Sequence, residues 1–116
     1  MQSLMITGGA PLIGSVAIHG AKNSVLPILA AAVLCQSPCV LHNCPQIEDV
    51  ATALSILRRL GCRVERQGSN IFVDPRGLYA CEVPPELARK MRSSVIFLGA
   101  LTARTGQAAV ALPGGC

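Results

Sequence analysis

The end of the sequence carries a cysteine in a setting that suits chemistry. The run LPGGC at residues 112–116 places the Cys116 thiol directly after two glycines. Glycines allow backbone angles and close approaches that a side chain forbids, which suits a loop that folds over a ligand. Cys116 is therefore our first candidate for a reactive group. The alternative is an ordinary cysteine at a chain end, and because the sequence stops on it we expect the chain to be incomplete.

Cationic side chains at two places in the sequence suggest that the protein binds an anion. Lys22 and Asn23 stand immediately before a predicted apolar helix, where free backbone N–H groups and the helix dipole favour negative charge. Arg92 stands where another predicted helix changes from charged to apolar, and its guanidinium suits bidentate recognition of a carboxylate or phosphate. The alternatives are a solvated Lys22 beside a capping Asn23 or Ser24, and a structural salt bridge for Arg92.

A cluster of cysteine and histidine residues has the spacing of a zinc site. Its four members fall within ten residues of the chain and are Cys35, Cys39, His42 and Cys44. However, residues 39–43 have the pattern of a strand, which points Cys39 and Cys44 to opposite faces. Small buried hydrophobic side chains are the better interpretation of these thiols, and zinc binding remains the alternative.

The composition limits the class of protein. The chain has 116 residues, of which 51% are hydrophobic and 14% charged, so we expect a domain with a buried aliphatic core. Three aromatic residues and a dispersed net charge of +4 argue against nucleic acid as a partner and favour small anionic ligands. Neither a basic secretory n-region nor an apolar run of about 20 residues occurs, so we expect a cytoplasmic protein with reduced thiols and no membrane contact.

The elements that position these residues follow from hydrophobic periodicity and turn residues, which predict an α/β fold. The predicted order is strands at 4–7 and 13–18, a helix at 24–34, a strand at 39–43, an amphipathic helix from 47 to 60, strands at 63–66 and 71–74, a helix from 86 to 103, and a strand at 108–112. The strands and buried helices outnumber what one small sheet can cover. The predicted fold therefore lacks packing partners.

Three motifs carry a resemblance to a known family. They are GAKNSVLPILAA at residues 20–31, MRSS at residues 91–94 and LPGGC at residues 112–116. With these motifs the chain closely resembles, from end to end, the N-terminal part of the bacterial enolpyruvyl transferases that act on UDP-N-acetylglucosamine. The sister enzymes of the shikimate pathway share the fold and lack this cysteine loop.

The resemblance implies a reaction and a role for each candidate residue. The enolpyruvyl group of phosphoenolpyruvate passes to the 3-hydroxyl of UDP-N-acetylglucosamine with release of phosphate, the first committed step of peptidoglycan synthesis. No metal or organic cofactor is implied. Lys22 and Asn23 match the pair that binds phosphoenolpyruvate, and Arg92 matches an arginine of the UDP-sugar site. Cys116 matches the general acid, which also forms an adduct with phosphoenolpyruvate and is alkylated by fosfomycin.

The resemblance also implies a larger architecture. The family fold has two domains, each an inside-out α/β barrel of βαβαββ units, with the ligands between them. Residues 1–20 then belong with the second domain, and residues 21–116 form an incomplete first domain. The remainder of the enzyme beyond residue 116 supplies the catalytic base and further sugar-nucleotide contacts. We expect the chain alone to be inactive, and a noncatalytic fragment or truncated paralogue is the alternative.

Overall fold

The computed structural model describes residues 2–112, so Met1 and residues 113–116, Cys116 included, lie outside the described part. Helices and strands mix along the chain, which confirms the α/β class. The helices are α1 (Lys22–Ala31), α2 (Glu48–Leu60), α3 (Pro85–Lys90) and α4 (Phe97–Thr105), with 3₁₀ helices at Ala32–Leu34, Pro75–Gly77 and Arg92–Ile96. The strands are β1 (Cys39–Leu41), β2 (Arg63–Gln67), β3 (Asn70–Asp74), β4 (Glu82–Val83) and β5 (Ala109–Val110).

Strands β1, β3 and β2 form an antiparallel sheet in that order. Gly68 has φ 58° in the turn between β2 and β3, a conformation that glycine adopts without a steric cost. Val64, Ile71 and Val73 alternate along these strands and are buried, as a sheet with one covered face requires. The predicted hairpin is therefore confirmed. A separate pair, β4 and β5, is parallel, and β4 has no counterpart among the predicted strands.

Helix α1 begins at Lys22, two residues earlier than predicted. Lys22 and Asn23 thus form its first turn, and the residue before it, Ala21, makes no side-chain cap. Pro27 is the sixth helical residue and has no N–H to donate to the Asn23 carbonyl. The helix is also less enclosed than expected, because one face packs into the core while Ile28 on the other face is 49% exposed. The prediction of a helix surrounded by protein on most sides is wrong for the described chain.

Helix α2 confirms the amphipathic pattern. One face is buried, and acidic residues occupy the first turn and basic residues the last, which complements the helix dipole. Gly61 ends the helix with φ 108°, in the left-handed region. Its N–H donates to the Arg58 carbonyl at 3.1 Å, and the Cys62 N–H donates to the Leu57 carbonyl at 3.0 Å. The last carbonyls of the helix are satisfied in this way.

Replacing Gly61 with alanine is expected to destabilise the chain by about 2–4 kcal/mol, because a left-handed residue then carries a Cβ in a crowded place. That Cβ lies 2.6 Å from the Gly77 carbonyl oxygen. Gly106 ends α4 with φ 86° and has no atom within 4 Å of its Cβ position, so Gly106→Ala isolates the backbone cost at about 1 kcal/mol. Urea denaturation of both variants measures the difference, and equal losses contradict the crowding argument.

The predicted helix from 86 to 103 is broken at Met91, which has extended backbone angles of φ −136° and ψ 107°. A helix of six residues precedes the break, and a 3₁₀ helix leading into α4 follows it. The break lets the Met91 side chain enter the core, where it is fully buried. Buried Ser94 donates its hydroxyl hydrogen to the Ala88 carbonyl across the break at 3.4 Å. Tertiary packing thus overrides a continuous helical pattern.

The N-terminal segment does not form the predicted strands at 4–7 and 13–18. A strand needs a hydrogen-bonding neighbour, and within the described residues this segment pairs with none. Its apolar side chains lie in solvent, with Ile6 81% and Ile13 94% exposed. The assignment of residues 1–20 to a second domain stays a prediction. Between residues 2 and 112, no helix has the length and apolar character needed to cross a bilayer.

Candidate functional site

A cleft of about 600 Å³ lies where α1, α2 and the segment after α3 meet. Lys22 and Asn23 line it from the first turn of α1, and Arg92 lines it from the start of the 3₁₀ helix. The structure therefore brings these three predicted residues to one cleft. Cys116 lies outside the described residues. The roles of all four side chains remain predictions.

The N-terminus of α1 places partial positive charge at the cleft. No side chain caps this helix end, and the Ser24 N–H donates to the Ala21 carbonyl at 3.3 Å. The N–H groups of Lys22 and Asn23 and the positive end of the dipole are therefore left for water or a ligand. Lys22 adds a full charge at the same place. The alternative in which Asn23 or Ser24 caps the helix is wrong, because the N-cap residue is Ala21.

Two charged residues of the cleft were not among the sequence candidates. Asp49, in the first turn of α2, forms an ion pair with Lys22, with 3.1 Å between Asp49 Oδ2 and Lys22 Nζ. Lys90, the last residue of α3, is exposed and also lines the cleft. The cleft thus has three cationic side chains and one carboxylate.

Gly20 holds the chain close to the loop that follows β1. A Cβ added at Gly20 would overlap the Asn43 carbonyl oxygen and lie 3.2 Å from Pro45 Cδ, so a larger residue would force this contact apart. Asn43 itself has φ 56°, a left-handed conformation that asparagine tolerates better than most residues. Because only Ala21 separates Gly20 from α1, this contact locates the chain beside the start of the helix and therefore near Lys22.

The four residues of the zinc alternative do not form one group, although the side chains of Cys35 and Cys39 interact. Among residues 2–112, no three His, Cys, Asp or Glu side chains are grouped as a metal site requires. The His42 Nδ1 instead forms a hydrogen bond with Asn70 Oδ1 at 3.0 Å. Burial raises the pKa of both the Cys39 and Cys44 thiols, which keeps them protonated. These cysteines behave as small apolar side chains.

The chain matches one family model and many related proteins. The model of EPSP synthase (3-phosphoshikimate 1-carboxyvinyltransferase) matches residues 6–116. A protein of Caldanaerobacter subterraneus named UDP-N-acetylglucosamine 1-carboxyvinyltransferase 2 is 47% identical over all 116 residues. Proteins named UDP-N-acetylglucosamine 1-carboxyvinyltransferase from Thermotoga maritima and Shewanella amazonensis are 47% and 48% identical over the same length. The chain spans 28% of the length of each of these curated relatives.

A solved structure shares the fold. The enolpyruvyl transferase NikO from Streptomyces tendae matches with a TM-score of 0.75 and 32% sequence identity. The match covers 85% of this chain and 23% of that one. This chain therefore shares its fold with part of an enolpyruvyl transferase, as the resemblance implied. Since the family model spans nearly the whole sequence, the chain belongs to the EPSP synthase (3-phosphoshikimate 1-carboxyvinyltransferase) family.

Proposed function

We propose that the protein carrying this chain transfers the enolpyruvyl group of phosphoenolpyruvate to the 3-hydroxyl of UDP-N-acetylglucosamine and releases phosphate. The observation that carries the proposal is the cleft in which Lys22, Asn23 and Arg92 meet at the open N-terminus of α1. Both substrates are polyanions, and a cleft with cationic side chains and free helical N–H groups suits them. In a bacterium this reaction begins peptidoglycan synthesis in the cytoplasm.

Lys22 and Asn23 are assigned to phosphoenolpyruvate. The ammonium of Lys22 pairs with the phosphate or carboxylate as a point charge, and the Asn23 amide donates a directional hydrogen bond. The first-turn N–H groups of α1 add donors aligned with the helix dipole. These groups neutralise the phosphate and so assist its departure as the leaving group.

Arg92 is assigned to the UDP-sugar. A guanidinium presents parallel N–H donors that match two oxygens of a phosphate, so it holds a diphosphate with a defined orientation. Arg92 lines the same cleft as Lys22. In this proposal Arg92 therefore holds the sugar nucleotide beside phosphoenolpyruvate, as transfer between the two substrates requires.

The proposed chemistry is addition followed by elimination, with Cys116 as general acid. The thiol gives its proton to the methylene carbon of phosphoenolpyruvate while the sugar 3-hydroxyl attacks the adjacent carbon and loses its proton to a base. The tetrahedral adduct then loses a methyl proton and expels phosphate, which restores the double bond on the sugar. A thiol suits the first step because its pKa of about 8.5 lies far closer to neutral pH than that of a serine hydroxyl.

The rest of the proposed enzyme is the partner of this chain. Residues 1–20 are assigned to the second domain and residues 21–116 to the first, with the base and further sugar contacts supplied from beyond residue 116. The exposed, alternating N-terminal segment supports this assignment, because its apolar side chains have no covering surface within the described residues. No metal or organic cofactor takes part in the proposed reaction.

The acceptor substrate differs between the enzymes named in these comparisons. The family model is named after 3-phosphoshikimate 1-carboxyvinyltransferase. The relatives that are 47% to 48% identical to this chain are instead named for UDP-N-acetylglucosamine. The similarity to these proteins over the whole chain, together with the LPGGC motif, favours the sugar nucleotide.

A chimera tests the proposal directly. This chain replaces the matching segment of the Thermotoga maritima relative, and release of phosphate from phosphoenolpyruvate is measured with each acceptor. We expect release that depends on UDP-N-acetylglucosamine and no turnover with shikimate 3-phosphate. Turnover with shikimate 3-phosphate alone overturns the choice of acceptor. A chimera that folds, as judged by its thermal transition, and yet releases no phosphate supports the noncatalytic alternative.

A further inference from the structure

An ion pair joins the first turns of two helices at the cleft. Lys22 Nζ lies 3.1 Å from Asp49 Oδ2, and the two side chains are 51% and 28% exposed. Asp49 is the second residue of α2, where the helix dipole stabilises its negative charge. The carboxylate is thus held in place from its own helix while it contacts a lysine from another.

A carboxylate in an anion-binding cleft is unfavourable in purely electrostatic terms. It repels the phosphate that Lys22 is assigned to bind, so its removal alone strengthens anion binding. The opposing effect is conformational. A lysine ammonium sits on a flexible four-carbon stem, and ordering that stem costs free energy each time a ligand binds. A partner that already holds the ammonium lowers this cost.

We propose that Asp49 is a positioning residue that fixes the Lys22 ammonium in the cleft for phosphoenolpyruvate. This inference rests on the proposed function. Asp49 touches neither the reacting atoms nor the sugar nucleotide in this proposal and acts through Lys22. Its two requirements, contact with Lys22 and a place on the cleft wall, are both met by the described residues.

Kinetics of the chimera with Asp49→Asn test the proposal, because the two effects of Asp49 have opposite signs. We expect the KM for phosphoenolpyruvate to rise about fivefold, which is the loss of binding that removal of a partly exposed ion pair produces. The KM for UDP-N-acetylglucosamine is expected to stay unchanged. Asp49→Glu keeps the charge and is expected to recover part of the loss. A fall in the KM for phosphoenolpyruvate overturns the proposal, since it shows that repulsion is the main effect.

The neighbouring residue supplies a matched control. Glu48 lies in the same first turn of α2 and is exposed outside this cleft. Glu48→Gln removes the same charge from the same helix end, so it is expected to leave the KM for phosphoenolpyruvate unchanged. A rise equal to that of Asp49→Asn overturns the proposal, because a general effect on α2 then explains both.

A double-mutant cycle separates this inference from the proposed function. If Asp49 acts through Lys22, then Asp49→Asn no longer weakens phosphoenolpyruvate binding once Lys22→Ala is present, and only the relief of its repulsion remains. Calorimetric titration with phosphoenolpyruvate measures this cycle by binding alone, so it reports on Asp49 even in a chimera without turnover. Additive effects overturn the positioning role while leaving the proposed reaction intact. If the parent chimera has no turnover but the two substitutions are coupled in binding, the proposed reaction is overturned and the positioning role of Asp49 is retained.

Discussion

Replacing Cys116 with serine in the chimera is expected to lower turnover by about 10²–10⁴-fold, the usual contribution of a general acid. The two side chains are nearly the same size. The hydroxyl, however, is a far weaker acid than the thiol, so the proton transfer to phosphoenolpyruvate becomes unfavourable. Phosphate release under saturating substrates measures the effect, and undiminished turnover rules out Cys116 as the proton donor.

The other cysteines provide the control for this experiment. Cys35→Ser makes the same substitution at a half-buried site away from the cleft and is expected to leave turnover unchanged.

Labelling by fosfomycin gives a second measurement, because alkylation needs a thiolate. Burial raises the pKa of Cys62 to about 11 and that of Cys44 above its usual value, so these thiols react poorly. Intact mass should show one adduct, which Cys116→Ser abolishes.

Replacing Lys22 with alanine is expected to raise the KM for phosphoenolpyruvate about a hundredfold, as loss of a charge-assisted contact at an anion site does. The KM for UDP-N-acetylglucosamine is expected to change much less. Steady-state kinetics with each substrate varied in turn measures the two effects. Equal effects on both substrates contradict the assignment of Lys22 to phosphoenolpyruvate.

Lys90 is the matched control for Lys22. It lines the same cleft with the same charge, but it lies at the end of α3 rather than at the N-terminus of α1. Lys90→Ala therefore removes the same charge from the cleft, without touching the proposed phosphoenolpyruvate contact. We expect a change of a few fold that disappears at high salt, since distant charges are screened. A loss as large as that of Lys22→Ala shows that total charge, rather than position, controls binding.

Local sequence patterns predict the parts of the fold that local interactions determine. Helix α2 carries its amphipathic stripe, its charged ends and Gly61, and the hairpin of β2 and β3 carries its alternation and its turn. All of these signals lie within a few residues of what they specify. The break at Met91 has no such local signal, because it depends on space in the core that other elements provide.

The same distinction applies to the candidate site. Lys22 and Asn23 stand at a helix start and Arg92 at a change of polarity, which are features of adjacent residues. Asp49 belongs to the site because α1 packs against α2, and no spacing in the sequence reports that contact. The strands predicted at 4–7 and 13–18 fail for a related reason, since alternation shows that a segment suits a sheet without supplying the neighbouring strand.

The extended backbone at Met91 interrupts the angular phase of the helical chain. In an unbroken helix each residue is turned by about 100° from the one before, which ties the direction of Arg92 to the face that α3 presents to α2. The extended residue removes this tie, so the direction of Arg92 no longer follows from the angular position of α3. The buried Met91 side chain and the hydrogen bond from Ser94 to the Ala88 carbonyl hold Arg92 in place instead, and both belong to the core rather than to a helix.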